Sequence, residues 1–114
     1  MNNLDLLPKK EILSLFMTCG FPNVNQSKKI FDEILSHQPH IIEFGLPFSD
    51  PMADGPIIQR ANELALKSKI TTQKSLDLIN KLARNKKNTS FVVMCYLNTV
   101  RKFGVDKFIK NIKN

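Results

Sequence analysis

The chain has 114 residues, of which 42% are hydrophobic and 24% charged, a composition typical of one globular domain with a core. No apolar run approaches the roughly 18 residues that a membrane helix needs, and the first residues lack the pattern of a secretory signal. Cys19 and Cys95 lack metal-ligand spacing. We therefore expect no membrane span and two reduced thiols in a cytoplasmic protein.

The formal net charge of +7 raises the alternative of a small basic interaction domain that binds a polyanion. The lysines, however, are scattered in pairs along helical segments, without an interleaved series of aromatic residues. This distribution favours solvated helix faces, and we expect no nucleic acid partner. An anionic phosphate substrate would still be attracted by such a field.

The chain begins with residues 1–7, which we expect to be loosely ordered. Residues 12–18 are mostly aliphatic and aromatic, and they predict a first strand. Apolar residues at helical spacing then predict a helix that runs to about residue 37, with Asn25 or Ser27 as its N-cap.

A second strand is predicted over residues 41–44, because this short apolar segment is stopped by Gly45 and a following proline. The loop after it contains three prolines within ten residues, so it is expected to be stiff. Pro56 suits the first position of the next helix, whose apolar spacing predicts an end near Lys67.

The rest of the chain predicts another helix, a third strand and a last helix. Thr71 or Thr72 is expected to cap the helix, which ends before residues 85–88. Residues 90–96 form the apolar run of a strand buried on both faces, and a final helix is predicted from Val105. Strand and helix thus alternate three times, which is typical of right-handed parallel βα units in an α/β fold.

Two carboxylates flank the stiff loop. Glu43 shares a strand face with Ile41 and Gly45, which places a charge among apolar neighbours at the end of the strand. Asp54 follows across the loop. Carboxylates in different environments can hold different protonation states, as acid–base catalysis requires. The alternatives are a salt-bridged or solvated Glu43 and a simple turn role for Asp54 before glycine.

Three stretches resemble the tryptophan synthase alpha subunit family, in the order and at the spacing found there. Residues 43–59 are EFGLPFSDPMADGPIIQ, residues 16–22 are FMTCGFP, and residues 94–98 are MCYLN. The resemblance implies the N-terminal part of a (β/α)8 TIM barrel, about three βα units in one partial domain, residues 1–114, of a truncated or fragmentary chain. Phe44 departs from the family, which usually has a smaller aliphatic residue there.

The resemblance also implies a carbon–carbon lyase that cleaves indole-3-glycerol phosphate into indole and glyceraldehyde 3-phosphate. Glu43 corresponds to the glutamate that transfers protons, and Asp54 to the aspartate that binds the indole nitrogen. Phe16, Met94 and Tyr96 correspond to the substrate pocket, although Phe16 and Tyr96 fit equally well as plain core residues. These five positions are the candidate active site.

The family works with a partner, a beta subunit that carries pyridoxal phosphate in an α2β2 tetramer. By resemblance Pro47, Asp50, Pro51 and Asn98 would contact that subunit; the alternative is that they only stiffen the loop or cap a helix. No cofactor or metal is expected in this chain itself.

The family's phosphate-binding loops, which follow the seventh and eighth strands, are not present in these residues. Without phosphate anchoring and closure over the site, the chain alone is expected to be inactive. The sequence therefore leaves open a second possibility, a truncated remnant without catalysis that at most contacts a beta subunit.

Overall fold

Three parallel strands form one sheet in the computed structural model, which describes residues 4–113. The strands are β1 (Ser14–Thr18), β2 (Ile41–Gly45) and β3 (Ser90–Met94), and β2 lies in the centre. Glu43 pairs in register with Phe16 of β1 and with Val92 of β3. The alternation of parallel strands and helices predicted from the sequence is therefore confirmed.

Five α-helices connect and follow the strands in the described part of the chain. They are α1 (Val24–Ser36), α2 (Pro56–Lys67), α3 (Thr72–Ala83), α4 (Leu97–Phe103) and α5 (Val105–Lys113). Within the start that was expected to be loose, Leu4–Leu6 form a short 3-10 helix, the N–H of Leu7 donates to the carbonyl of Leu4 at 3.2 Å, and residues 1–3 lie outside the described residues. None of the helices between residues 4 and 113 has the length and apolar content that a bilayer crossing requires.

The N-cap of α1 differs from the prediction. Asn23 has an extended backbone, and its side chain accepts a hydrogen bond from the N–H of Gln26 at 3.0 Å, so Asn23 is the cap. Asn25 lies inside the first turn. Ser27 is fully buried, and its hydroxyl oxygen accepts from the N–H of Gly20 at 2.9 Å. The predicted caps were therefore wrong, because Ser27 is used to hold the preceding loop.

The predicted bounds of β1 and β3 were too long by two residues each. β1 starts at Ser14 because the N–H of Leu13 donates to His40 Nδ1 instead of to a strand. β3 ends at Met94 because the chain then turns into α4, whose N-cap is Tyr96. α4 itself was not predicted: it is a short helix without a side-chain cap, so it lacked the usual start signal.

The core lies between one face of the sheet and the helices α1, α3 and α5. Phe44 is fully buried at its centre, with ring centroids 4.7 Å from Phe31 and 4.8 Å from Phe91. The opposite face carries Glu43 and is more open. Met94 is 53% exposed there, so β3 is not buried on both faces as its sequence suggested.

Cys19 provides a test of this core. Its side chain is fully buried, and burial raises the pKa of its thiol to about 12 despite a hydrogen bond with Ser75. The thiolate is the reactive form, so we expect Cys19 in a folded Cys95→Ser variant to resist alkylation at mildly alkaline pH and to react after urea is added. Mass spectrometry would measure the labelling. Rapid modification of the folded variant would contradict the buried position.

Candidate active site

A cavity of about 390 Å³ opens where the three strands end. Thr18, Gly45 and Met94 are the last residues of β1, β2 and β3, and all three line it. Parallel strands bring their carboxyl ends to one edge, where barrel enzymes hold their catalytic groups. Four of the five predicted active-site residues line this cavity: Phe16, Asp54, Met94 and Tyr96.

Phe16 extends across β2 toward the cavity. A Cβ atom built on Gly45 would come within 2.7 Å of Phe16 Cζ, so the bare glycine leaves the space that the ring occupies. Phe16 is 38% exposed and Met94 is 53% exposed. Both side chains therefore present apolar surface at the cavity, as a pocket for an aromatic ring requires.

Asp54 and Tyr96 are joined directly, although 42 residues separate them. The Tyr96 hydroxyl donates to Asp54 Oδ2 at 2.9 Å and accepts from the N–H of Ala53 at 3.0 Å. Partial burial, the hydrogen bond to Asp54 and the negative charges of Asp54 and Asp50 raise the pKa of Tyr96. The phenol therefore stays protonated at neutral pH and remains a donor to the carboxylate.

Asp54 also has the turn role considered from the sequence. Its N–H donates to the carbonyl of Pro51 at 3.1 Å, and its carbonyl accepts from Gln59 Nε2 at 2.8 Å. These bonds fix the backbone of Asp54, while Tyr96 holds its carboxylate. The turn and the placement of the side chain in the cavity are therefore parts of one arrangement.

Glu43 is not among the residues that line the cavity. Glu43 is half-buried and lies two residues before Gly45, on the same face of β2. Its Oε1 accepts a hydrogen bond from the Ser14 hydroxyl at 2.6 Å. The structure therefore brings Asp54 together with Phe16, Met94 and Tyr96 around the cavity. Glu43 lies outside the cavity lining, nearer the start of β2 than Gly45. The catalytic role of Glu43 stays a prediction.

Of the four residues predicted to contact a partner, Pro47, Asp50 and Pro51 lie in the loop between β2 and α2, and Asn98 lies in α4. Pro47 and Asn98 line a groove of about 740 Å³, and Asp50 and Pro51 line a second groove of about 440 Å³. Phe48 and Ser49, which we call the loop crest, line both grooves, so the two grooves adjoin at this crest. Their role as an interface remains a prediction.

Two residues that the sequence analysis did not single out support the loop. Asn62 of α2 is 5% exposed, and its Oδ1 accepts from the N–H of Phe48 at 2.8 Å. The Phe48 ring stacks on the ring of Tyr96, with centroids 5.0 Å apart and planes inclined by 25°. An asparagine one turn after Ile58, on the apolar stripe of α2, was the available signal for a buried polar contact.

No group of three or more His, Cys, Asp or Glu side chains within residues 4–113 is arranged to hold a metal ion. Both cysteines are free thiols. The cavity therefore offers a carboxylate and a phenol hydroxyl beside apolar side chains, an arrangement suited to binding an aromatic molecule that carries an N–H donor.

The fold has close relatives among solved structures. Tryptophan synthase subunit alpha from Legionella pneumophila superposes with a TM-score of 0.83 at 33% identity, over 90% of this chain and 39% of that one. The aminoacrylate-bound tryptophan synthase from M. tuberculosis gives a TM-score of 0.82 at 32% identity, over 90% and 41%. The three-stranded sheet with its helices is accordingly part of a TIM barrel.

The sequence comparisons agree with this similarity. The tryptophan synthase alpha chain of Petrotoga mobilis is 36% identical over 110 residues, which are 96% of this chain and 42% of that relative. This chain thus spans about two fifths of the length of the curated relatives it matches. The family model described as "Tryptophan synthase alpha chain" matches residues 5–114. The chain belongs to the tryptophan synthase alpha chain family.

Proposed function

We propose that this chain supplies the carboxylate-bearing part of a lyase that cleaves indole-3-glycerol phosphate into indole and glyceraldehyde 3-phosphate in tryptophan biosynthesis. The observation that carries the proposal is the Asp54 carboxylate, held by Tyr96 beside apolar side chains at the strand ends of a chain from this family. Residues 1–114 would act as one partial TIM-barrel domain.

In this reaction the carbon–carbon bond between the indole ring and the glycerol phosphate breaks. The ring gains a proton at C3, the adjacent glycerol hydroxyl loses its proton, and the ring nitrogen carries positive charge while the bond breaks. Asp54 would accept the hydrogen bond of the ring N–H, because a carboxylate with Tyr96 at Oδ2 has further acceptor capacity. The cavity is within the size range of small-molecule sites, and Phe16 and Met94 would contact the ring.

Glu43 would transfer the protons. Its present partner is the Ser14 hydroxyl, so the proposed role requires the carboxyl group to turn from Ser14 toward the cavity. Such a turn suits the position of Glu43, because Gly45 is the next residue on the same face of β2 and belongs to the cavity wall.

We also propose that a beta subunit docks on the loop crest in an α2β2 assembly. The grooves beside Pro47 and Asn98 and beside Asp50 and Pro51 give the crest two concave sides for a partner. Pyridoxal phosphate would belong to that subunit, and this chain would need no cofactor. A cytoplasmic location fits the two free thiols.

The proposed activity can be tested in a chimera. The matched segment of the Petrotoga mobilis alpha chain is replaced by this chain, which restores a complete barrel length around residues 5–114. We expect the chimera to release indole from indole-3-glycerol phosphate, whereas the 114-residue chain alone should release none. Indole is measured by absorbance after extraction. A folded chimera without activity, beside an active parent enzyme, would contradict the proposal.

A further inference from the structure

Asn62 has an unusual position for an amide side chain. It lies in α2 with 5% of its surface exposed, and it borders both the cavity and the groove beside Asp50. Its Oδ1 accepts from the N–H of Phe48, and its Nδ2 donates to the carbonyl of Ile58, both at 2.8 Å. A buried amide is costly unless its polar atoms are paired, so these two bonds hold Asn62 and Phe48 in a defined relative position.

Phe48 connects Asn62 to Tyr96, which lines the cavity. Its backbone is fixed by Asn62, and its ring stacks on Tyr96 at a centroid distance of 5.0 Å. Offset stacking of this kind is an attractive and directional contact. The hydroxyl at the far end of the Tyr96 ring donates to Asp54 Oδ2 at 2.9 Å. A continuous series of contacts therefore runs from α2, through the loop and β3 end, to the carboxylate.

We propose that Asn62 is a positioning residue for Asp54: by fixing Phe48, it holds Tyr96 against the carboxylate and so sets the direction in which Asp54 faces a bound ligand. That the ligand is an indole N–H donor rests on the function proposed above. Asn62 itself does not touch the reacting atoms. It acts through Phe48 and Tyr96, neither of which was assigned to this task by the sequence.

The competing explanation is that Asn62 only ties a loop to a helix and matters for stability alone. Ser27 provides the matched comparison, because it is also a buried helical side chain that accepts from a loop N–H, that of Gly20, at 2.9 Å. If Asn62 is merely structural, removing either bond should affect the molecule in the same way. If Asn62 positions the cavity, only its removal should change Tyr96.

Tyr96 allows a direct measurement, because the sequence contains one tyrosine and no tryptophan. The ultraviolet absorbance of tyrosinate during an alkaline titration of the 114-residue chain therefore reports the pKa of Tyr96 alone. Partial burial, the hydrogen bond to Asp54 and the charges of Asp54 and Asp50 raise this pKa. Asp54→Asn removes the main charged partner, so its downward shift defines the full loss of the contact.

We expect Asn62→Leu to lower the pKa of Tyr96 by most of the shift seen in Asp54→Asn, since the released loop would no longer hold the carboxylate at the phenol. Ser27→Ala should leave the titration unchanged. Phe48→Leu keeps the Asn62 amide satisfied and breaks only the ring stacking, so it serves if Asn62→Leu does not fold. It should also lower the pKa.

An unchanged Tyr96 titration in folded Asn62→Leu or in Phe48→Leu would overturn the positioning role, and so would an equal shift in Ser27→Ala. The titration uses no substrate, so its outcome is independent of indole release by the chimera. An inactive chimera combined with the expected shifts would reject the proposed reaction and leave the positioning role standing. An active chimera without the shifts in the pKa of Tyr96 would support the proposed reaction and reject the positioning role of Asn62.

Discussion

Glu43→Gln in the Petrotoga mobilis chimera is expected to lower kcat for indole release by about 10²–10⁴-fold, the range that general acid–base catalysis contributes. The amide has nearly the shape of the carboxyl group and can still bond to Ser14, but it cannot take up or deliver a proton at neutral pH. KM should change much less, because in the proposed mechanism Phe16 and Met94, not Glu43, contact the ring. Steady-state kinetics of the purified chimera measures both constants.

The control is Glu33→Gln on α1. Glu33 is exposed, pairs with His37 at 3.1 Å and does not line the cavity at the strand ends, so the same chemical change there should leave kcat unaltered. If Glu43→Gln retains the kcat of Glu33→Gln, the carboxyl group at residue 43 has no part in proton transfer. The cavity around Asp54 would then need another acid and base.

Phe44→Ala is expected to lower the free energy of unfolding by about 3–5 kcal/mol, as is usual when a buried aromatic side chain is truncated. Phe44 is fully buried between Phe31 and Phe91, so the substitution removes both ring contacts and leaves a hole behind β2. Domains commonly have only about 5–15 kcal/mol of stability, so this loss would be a large share of the total. Urea denaturation followed by circular dichroism measures the loss.

Phe16→Ala is the matched control for this experiment, since the same side chain is removed from a ring that is 38% exposed. Its cost should be clearly smaller. The loss of unfolding free energy in Phe44→Leu should lie between these two losses. Leucine approximates the smaller aliphatic residue that the family resemblance leads one to expect at this position, and it keeps more buried apolar volume than alanine. Equal losses for Phe44→Ala and Phe16→Ala would show that the ring cluster is not the centre of the core.

The segment from β2 to α2 could be predicted well because its signals are local. Gly45 ends the strand, the prolines limit the loop, and Pro56 occupies the first turn of the helix, as the structure confirms. The N-cap at Asn23 and the helix α4 were missed. Several residues near Asn23 can serve as caps, and α4 depends on its packing rather than on a start signal.

The candidate site was predictable only in part. The family resemblance predicted Asp54 and Tyr96 as active-site residues, but their hydrogen bond spans 42 positions and is set by tertiary packing. The position of Asn62 on the apolar stripe of α2 indicated a buried polar contact, but its partner could not be predicted, because a backbone N–H is common to nearly all residues. The contact of Glu43 with Ser14 likewise depends on strand register, since residues 14 and 41 are paired.

The bond between Tyr96 and Asp54 has a consequence for how such a barrel can be altered. Asp54 is attached to the second βα unit, yet the hydroxyl that holds its carboxylate comes from the end of the third. Exchanging a single unit for one from a relative would separate a donor from its acceptor. Evolution or design that shuffles these repeats must therefore move both units together, or carry a compatible pair of residues across the junction.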